Sequence, residues 1–217
     1  MSYLVERRLE EKERRRFEIL DAAETVAKVV GIGALTMDQV ARKARLSRAL
    51  VYVYFRAKAD LLIAISIRAL EQLNGRFVDV LAQPLRGAEQ VEACGRAYAN
   101  FARECPVRFE VLAQFEAHSL TGDLDPAYEE FLRVSDRAHA ALTRAIENGL
   151  KDGSIRNDLG NPALLGLTLW GLMHGIIQLT MHKIGRLQRS GISAESLVEH
   201  GLRLALDALS HAPSIRA

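Results

Sequence analysis

The chain has 217 residues, 26% of them charged and 49% hydrophobic, with a formal net charge of +2. This is the composition of a folded globular protein with room for one or two cores, and it excludes a disordered or collagen-like chain. Two cysteines, Cys94 and Cys105, have no metal-ligand spacing and do not make a disulfide scaffold.

The N-terminal stretch MSYLVERRLEEKERRR lacks the apolar core of a signal peptide, so a cytoplasmic protein with reduced thiols is expected. Charge is unevenly placed. Residues 1–60 hold 13 Lys/Arg against 9 Asp/Glu, and residues 61–217 hold 16 against 18. A basic front half is where a polyanion would bind.

Ala, Leu, Arg and Glu dominate and prolines are few, so an all-α fold is expected. Residues 5–15 alternate in charge sign. They read either as a solvated helix extension with i,i+4 pairs or as a basic arm that helps hold phosphate. From Phe17 to Val30, apolar residues recur as Phe17, Leu20, Ala23, Ala27 and Val30, which predicts a helix with one buried stripe. Gly31 and Gly33 end it. Thr36 then stands as an N-cap, and Met37, Val40, Ala41 and Ala44 mark a helix of about two turns.

The next stretch, LSRALVYVYFRAKADLL (residues 46–62), is rich in β-branched and aromatic residues, as a strand would be. Ser47, however, is a second N-cap, three residues after Ala44. Two short helices joined so closely must cross steeply, as in a helix-turn-helix. On the second of them Val51 and Phe55 fall on one side, and Arg48, Ala49, Tyr52 and Val53 on another. Arginine pairs bidentately with guanine, and a small side chain such as Ala49 lets a helix sit deep in a major groove. A tyrosine hydroxyl is suited to phosphate.

These residues resemble the tetracycline-repressor (TetR) family of transcriptional regulators. ILDAAETVAKVVG (residues 19–31) is similar to the family's first helix, and LTMDQVARKARLS (residues 35–47) to its second helix and turn. LVYVYFRAKADLL (residues 50–62) carries the pattern Tyr-x-Tyr/His-Phe-x-x-Lys-x-x-Leu-Leu at Tyr52, Tyr54, Phe55, Lys58, Leu61 and Leu62. The resemblance implies that Thr36 caps its helix and touches phosphate. It implies that Ser47, Arg48, Ala49 and Leu50 face the groove, and that Tyr52, Tyr54 and Lys58 hold the DNA backbone. For Tyr54, core packing is the competing reading. Two departures stand out. Arg45 occupies a turn position that is usually glycine in the family, where it can sit near phosphate. Leu50 cannot hydrogen-bond, so any reading of bases there is apolar.

A second similarity covers ENGLKDGSIRNDLGNPALLGLTLWGLMHGI (residues 147–176), which resembles the late helices of many TetR-like regulators. It implies a helical rear domain that binds a small effector and dimerises through its last two long helices. The expected organisation is a helix-turn-helix DNA-binding domain with a basic extension over residues 1–60. An effector-binding and dimerisation domain follows over 61–217.

The residues point the same way. The run from Ala163 to Ile184 is apolar nearly all round. A membrane span is one reading of it, but Thr168, His174, Gln178, Thr180 and His182 interrupt it and no second span exists. A helix buried on all sides needs partners on all sides. The last helix, Ala194 to Leu209, offers a broad apolar face suited to a four-helix interface between two subunits. The dimer face is expected to use Leu172, Ile176, Leu179, Leu197, Gly201, Leu204 and Ala208. The effector residues are expected among Tyr98, Phe101, Phe115, His118, Trp170 and His174, lining an apolar pocket for a lipophilic or aromatic molecule. Trp170 reads as pocket wall, dimer core or both.

Motifs for metalloproteases, serine hydrolases and nucleotide binding are absent, so no catalytic residue, metal or cofactor is expected. The leading expectation is a homodimeric repressor that binds a pseudo-palindromic operator and is released by a small effector. The alternatives are a helical interaction module without DNA binding and a small enzyme with an unrecognised site.

Overall fold

The computed structural model describes residues 3–116 and 126–210. These form ten helices and no strand: α1 (Tyr3–Ala34), α2 (Met37–Ala44), α3 (Arg48–Tyr54), α4 (Lys58–Leu81), α5 (Gly87–Glu104), α6 (Pro106–Glu116), α7 (Pro126–Asp152), α8 (Pro162–His182), α9 (Ile184–Arg189) and α10 (Ala194–Leu209). The chain divides into two compact units, residues 1–69 with 105–133 and residues 70–104 with 134–217. The sequence boundary at residue 60 lies in the first turn of α4, and the units divide that same helix between Ala69 and Leu70.

In the first unit, Ile19, Leu20 and Ala23 of α1 pack with Met37, Val40 and Ala41 of α2 and with Val51, Phe55, Leu61 and Ile65. Val111 of α6 completes this core. The stripe on α1 differs from the expected one at both ends. Leu20, Ala23 and Ala27 are buried, but Phe17 and Val30 are exposed. Phe17 lies instead under the guanidinium of Arg68, 5.6 Å from its ring centre. Arg68 also binds Asp21 and Glu24, at 2.5 and 3.2 Å, and Glu24 receives Arg108 of α6 at 2.9 Å. One mostly buried carboxylate thus joins α1 to α4 and α6. The helix of α1 is broken at Gly31, whose φ of +79° is a conformation glycine adopts freely.

The turn between α2 and α3 is set by its caps. The Thr36 side chain accepts the Gln39 N–H at 3.3 Å, while the Gln39 side chain accepts the Thr36 N–H at 2.9 Å. This reciprocal capping box fixes where α2 begins. At its end the Arg45 N–H bonds the Arg42 carbonyl and the Leu46 N–H bonds the Ala41 carbonyl, a Schellman closure. Arg45 there has φ +56°, the one positive φ outside glycine among the described residues. A left-handed conformation costs a side-chain-bearing residue about 1–2 kcal/mol, and glycine's extra freedom when unfolded returns about 0.4–1 kcal/mol of that. Arg45→Gly is therefore expected to raise stability by roughly 0.5 kcal/mol, as a rise in urea midpoint at unchanged slope.

In the second unit, Val91 of α5, Ala145 and Ile146 of α7, Leu169 of α8, and Ala205 and Leu209 of α10 share a core with Ile155. The start of α5 is bound to the end of α7. The Gly87 N–H donates to the Asp152 carboxylate at 2.8 Å, and the Ala88 N–H to the Ser154 hydroxyl at 3.0 Å. The hydrogen bonds from Ser154 and Gly87 hold the Asp152 carboxyl below the usual carboxylate range. The long apolar run of the sequence is interrupted at Lys183, so α8 stops at His182 and α9 is a separate short helix.

Candidate nucleic-acid interface and effector cavity

Helix α3 starts at Ser47, whose hydroxyl accepts the Leu50 N–H at 3.2 Å. Val51 and Phe55 are buried and fasten the helix to the core, which leaves Arg48, Ala49, Tyr52 and Val53 outward. Sequence spacing places Val53 on this face but gives it no role; it is 77% exposed, an apolar surface of the kind that meets a thymine methyl. Leu50 lies to one side and is half-buried. Arg48 is held in place: its Nε is 3.0 Å from Asp38 of α2, its Nη1 is 3.4 Å from the other carboxylate oxygen, and its guanidinium covers the Tyr52 ring.

The other residues expected to meet DNA divide into two kinds. Thr36, Arg45, Ser47 and Tyr52 are exposed around α3. Tyr54 is half-buried and packs against the core, and the Lys58 ammonium donates to the Gly33 carbonyl at 2.8 Å. Lys58 thereby satisfies a carbonyl just beyond the Gly31 break.

The rear unit brings three of the expected effector residues together. The Tyr98 hydroxyl lies 2.7 Å from His174 Nδ1, and Trp170 lies 5.2 Å from the His174 ring. Burial lowers the His174 pKa. The ring is then neutral at pH 7; the Gln178 amide nitrogen is a donor 3.4 Å from Nε2, so Nε2 accepts and Nδ1 carries the proton, donating to the Tyr98 oxygen. Phe101 is fully buried beneath the Arg76 guanidinium and belongs to the core. His118 lies outside the described residues. Phe115 falls within α6, which belongs to the first unit.

A cavity of about 330 Å³ opens between α7 and α8, lined by Ser135, Asp136, His139, Thr143, Gly166 and Leu167 among others. Sequence pattern does not single out His139. Its signal there is weak, a single histidine among alanines. Its Nδ1 lies 3.1 Å from the Ser135 carbonyl and must donate to it. Its Nε2 is buried and has no hydrogen-bond partner among the described residues. Trp170 meets the His139 ring edge-on at 5.3 Å, so the cavity wall and the Tyr98–His174 pair share one aromatic neighbour.

The expected dimer face separates into an inner and an outer set. Gly201 is buried against α8: a Cβ there would lie 2.2 Å from Ile176 Cδ1, so these two residues close α8 on α10 within the protomer. Leu172, Leu179, Leu204 and Ala208 stay exposed and Leu197 is half-buried. Leu164, Thr168, Gly171 and Gly175 are exposed as well and extend the α8 stripe. By length and composition α8 is the one described helix apolar enough to cross a membrane, and little of it is covered within this chain.

Residues 19–65 match the family described as bacterial regulatory proteins, tetR family, and residues 91–205 match its tetracyclin repressor-like C-terminal domain. The second match alone spans more than half of the chain. This protein belongs to the TetR family. Among its relatives is the uncharacterized HTH-type transcriptional regulator YhgD of Bacillus subtilis (strain 168). The two are 24% identical over 143 residues, which is 65% of this chain and 72% of YhgD. Solved structures share its fold over most of their length. A protein of unknown function from Rhodococcus sp. RHA1 has a TM-score of 0.73 at 19% identity, covering 91% of this chain and 96% of that one. PfmR of Thermus thermophilus, a TetR family transcriptional regulator, has 0.67 at 22%, covering 89% and 99%. FadR of Bacillus subtilis, solved in complex with stearoyl-CoA, has 0.67 at 16%, covering 89% and 98%. The chain is thus a TetR-family transcriptional regulator, an all-α protein with a helix-turn-helix in front and a helical C-terminal domain behind.

Proposed function

We propose that this protein is a homodimeric repressor that binds a pseudo-palindromic operator and is released by a small effector with an apolar body. The observation that carries the reading is the outward face of α3. A cap-fixed helix only two turns long presents Arg48, Ala49, Tyr52 and Val53 together, with Thr36, Arg45 and Ser47 around it. So short a helix reads few base pairs, and two copies on a symmetric site give the specificity one cannot.

The uncovered leucines of α8 and α10 supply the symmetric contact. Leu172→Glu with Leu204→Glu is expected to give a monomer by analytical ultracentrifugation. Operator affinity should fall at least 100-fold, because two linked half-sites become two separate encounters.

In the rear unit the Tyr98–His174–Trp170 cluster and the cavity beside His139 support an effector of acyl or aromatic character. The stearoyl-CoA bound by FadR makes acyl thioesters the first class to try. Release follows from coupling: an effector that prefers a conformation with misplaced α3 helices lowers DNA affinity by the same factor that DNA lowers effector affinity. Helix α4 has residues in both units and is the natural carrier. The test is fluorescence anisotropy on the protein's own promoter region, with and without a panel of acyl-CoAs and aromatic acids. Sequence-specific, salt-dependent binding relieved by one of them supports the reading. Absence of any specific binding refutes it.

A further inference from the structure

Helix α1 does not begin where the first core begins. Its first core residue is Ile19, yet the helix runs back to Tyr3, and residues 5–14 are exposed. Charges on this extension alternate along the sequence but not around the helix. Arg8, Lys12 and Arg16 follow at four-residue steps and share one face. Glu6 and Glu10 lie on the opposite side, while Glu11 and Glu13 flank the stripe, three residues from Arg8 and Arg16 respectively. The helical neighbours of Lys12 at three and four residues are Leu9, Arg15, Arg8 and Arg16, so no carboxylate is within its reach on the helix.

The ion pairs follow the same division. Arg14 pairs with Glu11 and Glu18, and Arg15 with Glu18. Arg8, Lys12 and Arg16 make no ion pair among the described residues. Like charges at i,i+4 weaken a helix, and here the sequence places two such pairs in succession. A face that keeps three cations in a row free of ion pairs is suited to an external anion. Its position names the anion. Arg16 lies 5.6 Å over the ring of Phe55, the residue that caps the C-terminus of α3. The stripe therefore starts at the recognition helix and extends about 12 Å from it, at 1.5 Å per residue.

We infer that the N-terminal extension of α1 is a second DNA-contact element, whose Arg8–Lys12–Arg16 stripe binds backbone phosphates outside the groove entered by α3. It reads no bases, and its part is to lengthen the footprint and steepen the salt dependence. The inference rests on the DNA-binding reading above. Val5 and Leu9 border the stripe, and a basic helix with an apolar edge also suits an anionic membrane surface. The contact with the α3 cap favours DNA.

The experiment first lets the full-length protein select duplexes from a random-sequence pool. The winning site is then prepared in two lengths, trimmed to the site and with ten flanking base pairs on each side. Against the long duplex, Arg8→Ala with Lys12→Ala is expected to lower the slope of log K against log salt by about 2 per protomer, at about 0.9 per phosphate released. On the trimmed duplex the variant and the parent should bind alike, and Arg8→Lys with Lys12→Arg should retain the parent slope on both. An unchanged slope on the long duplex overturns the stripe and leaves the DNA-binding reading standing. So does an equal loss on both lengths, or a loss confined to sedimentation with phosphatidylserine vesicles. Failure of the parent protein to select any sequence overturns both.

Discussion

Replacing Arg48 and Tyr52 together by alanine is expected to weaken sequence-specific DNA binding sharply while leaving the fold intact. Both side chains are on the outward face of α3, clear of Val51 and Phe55 that hold the helix to the core. Surface changes away from buried features usually shift stability by no more than about 0.5 kcal/mol. A bidentate arginine–guanine contact is worth about 1–3 kcal/mol, and a dimer makes it twice, so affinity for the operator should fall roughly 30-fold to 10⁴-fold. Weak, non-specific binding should persist, since most of its cations are elsewhere. The measurement is anisotropy on operator and scrambled duplexes at one fixed salt concentration. Equal affinity of variant and parent for the operator would remove α3 as the reading element.

The largest loss of stability is expected far from that face, at Gly87. A Cβ there would sit 1.9 Å from the Gly149 nitrogen, 2.2 Å from its Cα and 2.6 Å from the Asn148 carbonyl carbon. All three are backbone atoms, so no rotamer change relieves the clash. The start of α5 must move away from the end of α7, and the hydrogen bonds from Gly87 to Asp152 and from Ala88 to Ser154 are lost with it. Overpacking of this kind costs about 3 kcal/mol or more. Gly87→Ala should then lower the Tm by about 6–12 °C for a chain of this size. Gly75→Ala is the matched control: that glycine lies in α4 with nothing within 4 Å of its Cβ position. It should gain up to about 1 kcal/mol, the difference in helix propensity. If Gly87→Ala melts with the parent, the close approach of α5 and α7 is not a constraint on the fold.

What is legible in the sequence follows the range of the forces involved. Thr36 and Ser47 are readable as caps because a side chain and its own helix decide a cap locally. The range of α10 is readable because its apolar rows repeat without interruption. Burial at the ends of α1 is not readable in the same way. Phe17 fits the helical spacing of Leu20 and Ala23, but Arg68, fifty-one residues on, leaves it under a guanidinium instead of in the core. Nor does local pattern disclose that Val111 of α6 belongs with the helices of the first unit. Its neighbours Val107, Phe109 and Leu112 spread apolar character around the helix and give α6 no preferred side. Among candidate site residues, α3 is legible as a face. His139 is not, because its meaning comes from the Ser135 carbonyl on one side and Trp170 on the other.

The contact between Arg48 and Asp38 bears on how such a protein searches a genome. The guanidinium fork that suits a guanine edge is already occupied by a carboxylate of the same chain. On the proposed reading, an indifferent sequence would give that arginine no reason to leave its partner. Only a correctly placed guanine offers a better match for both N–H groups at once. If α3 reads bases as proposed, Asp38 would then act as an internal competitor for Arg48.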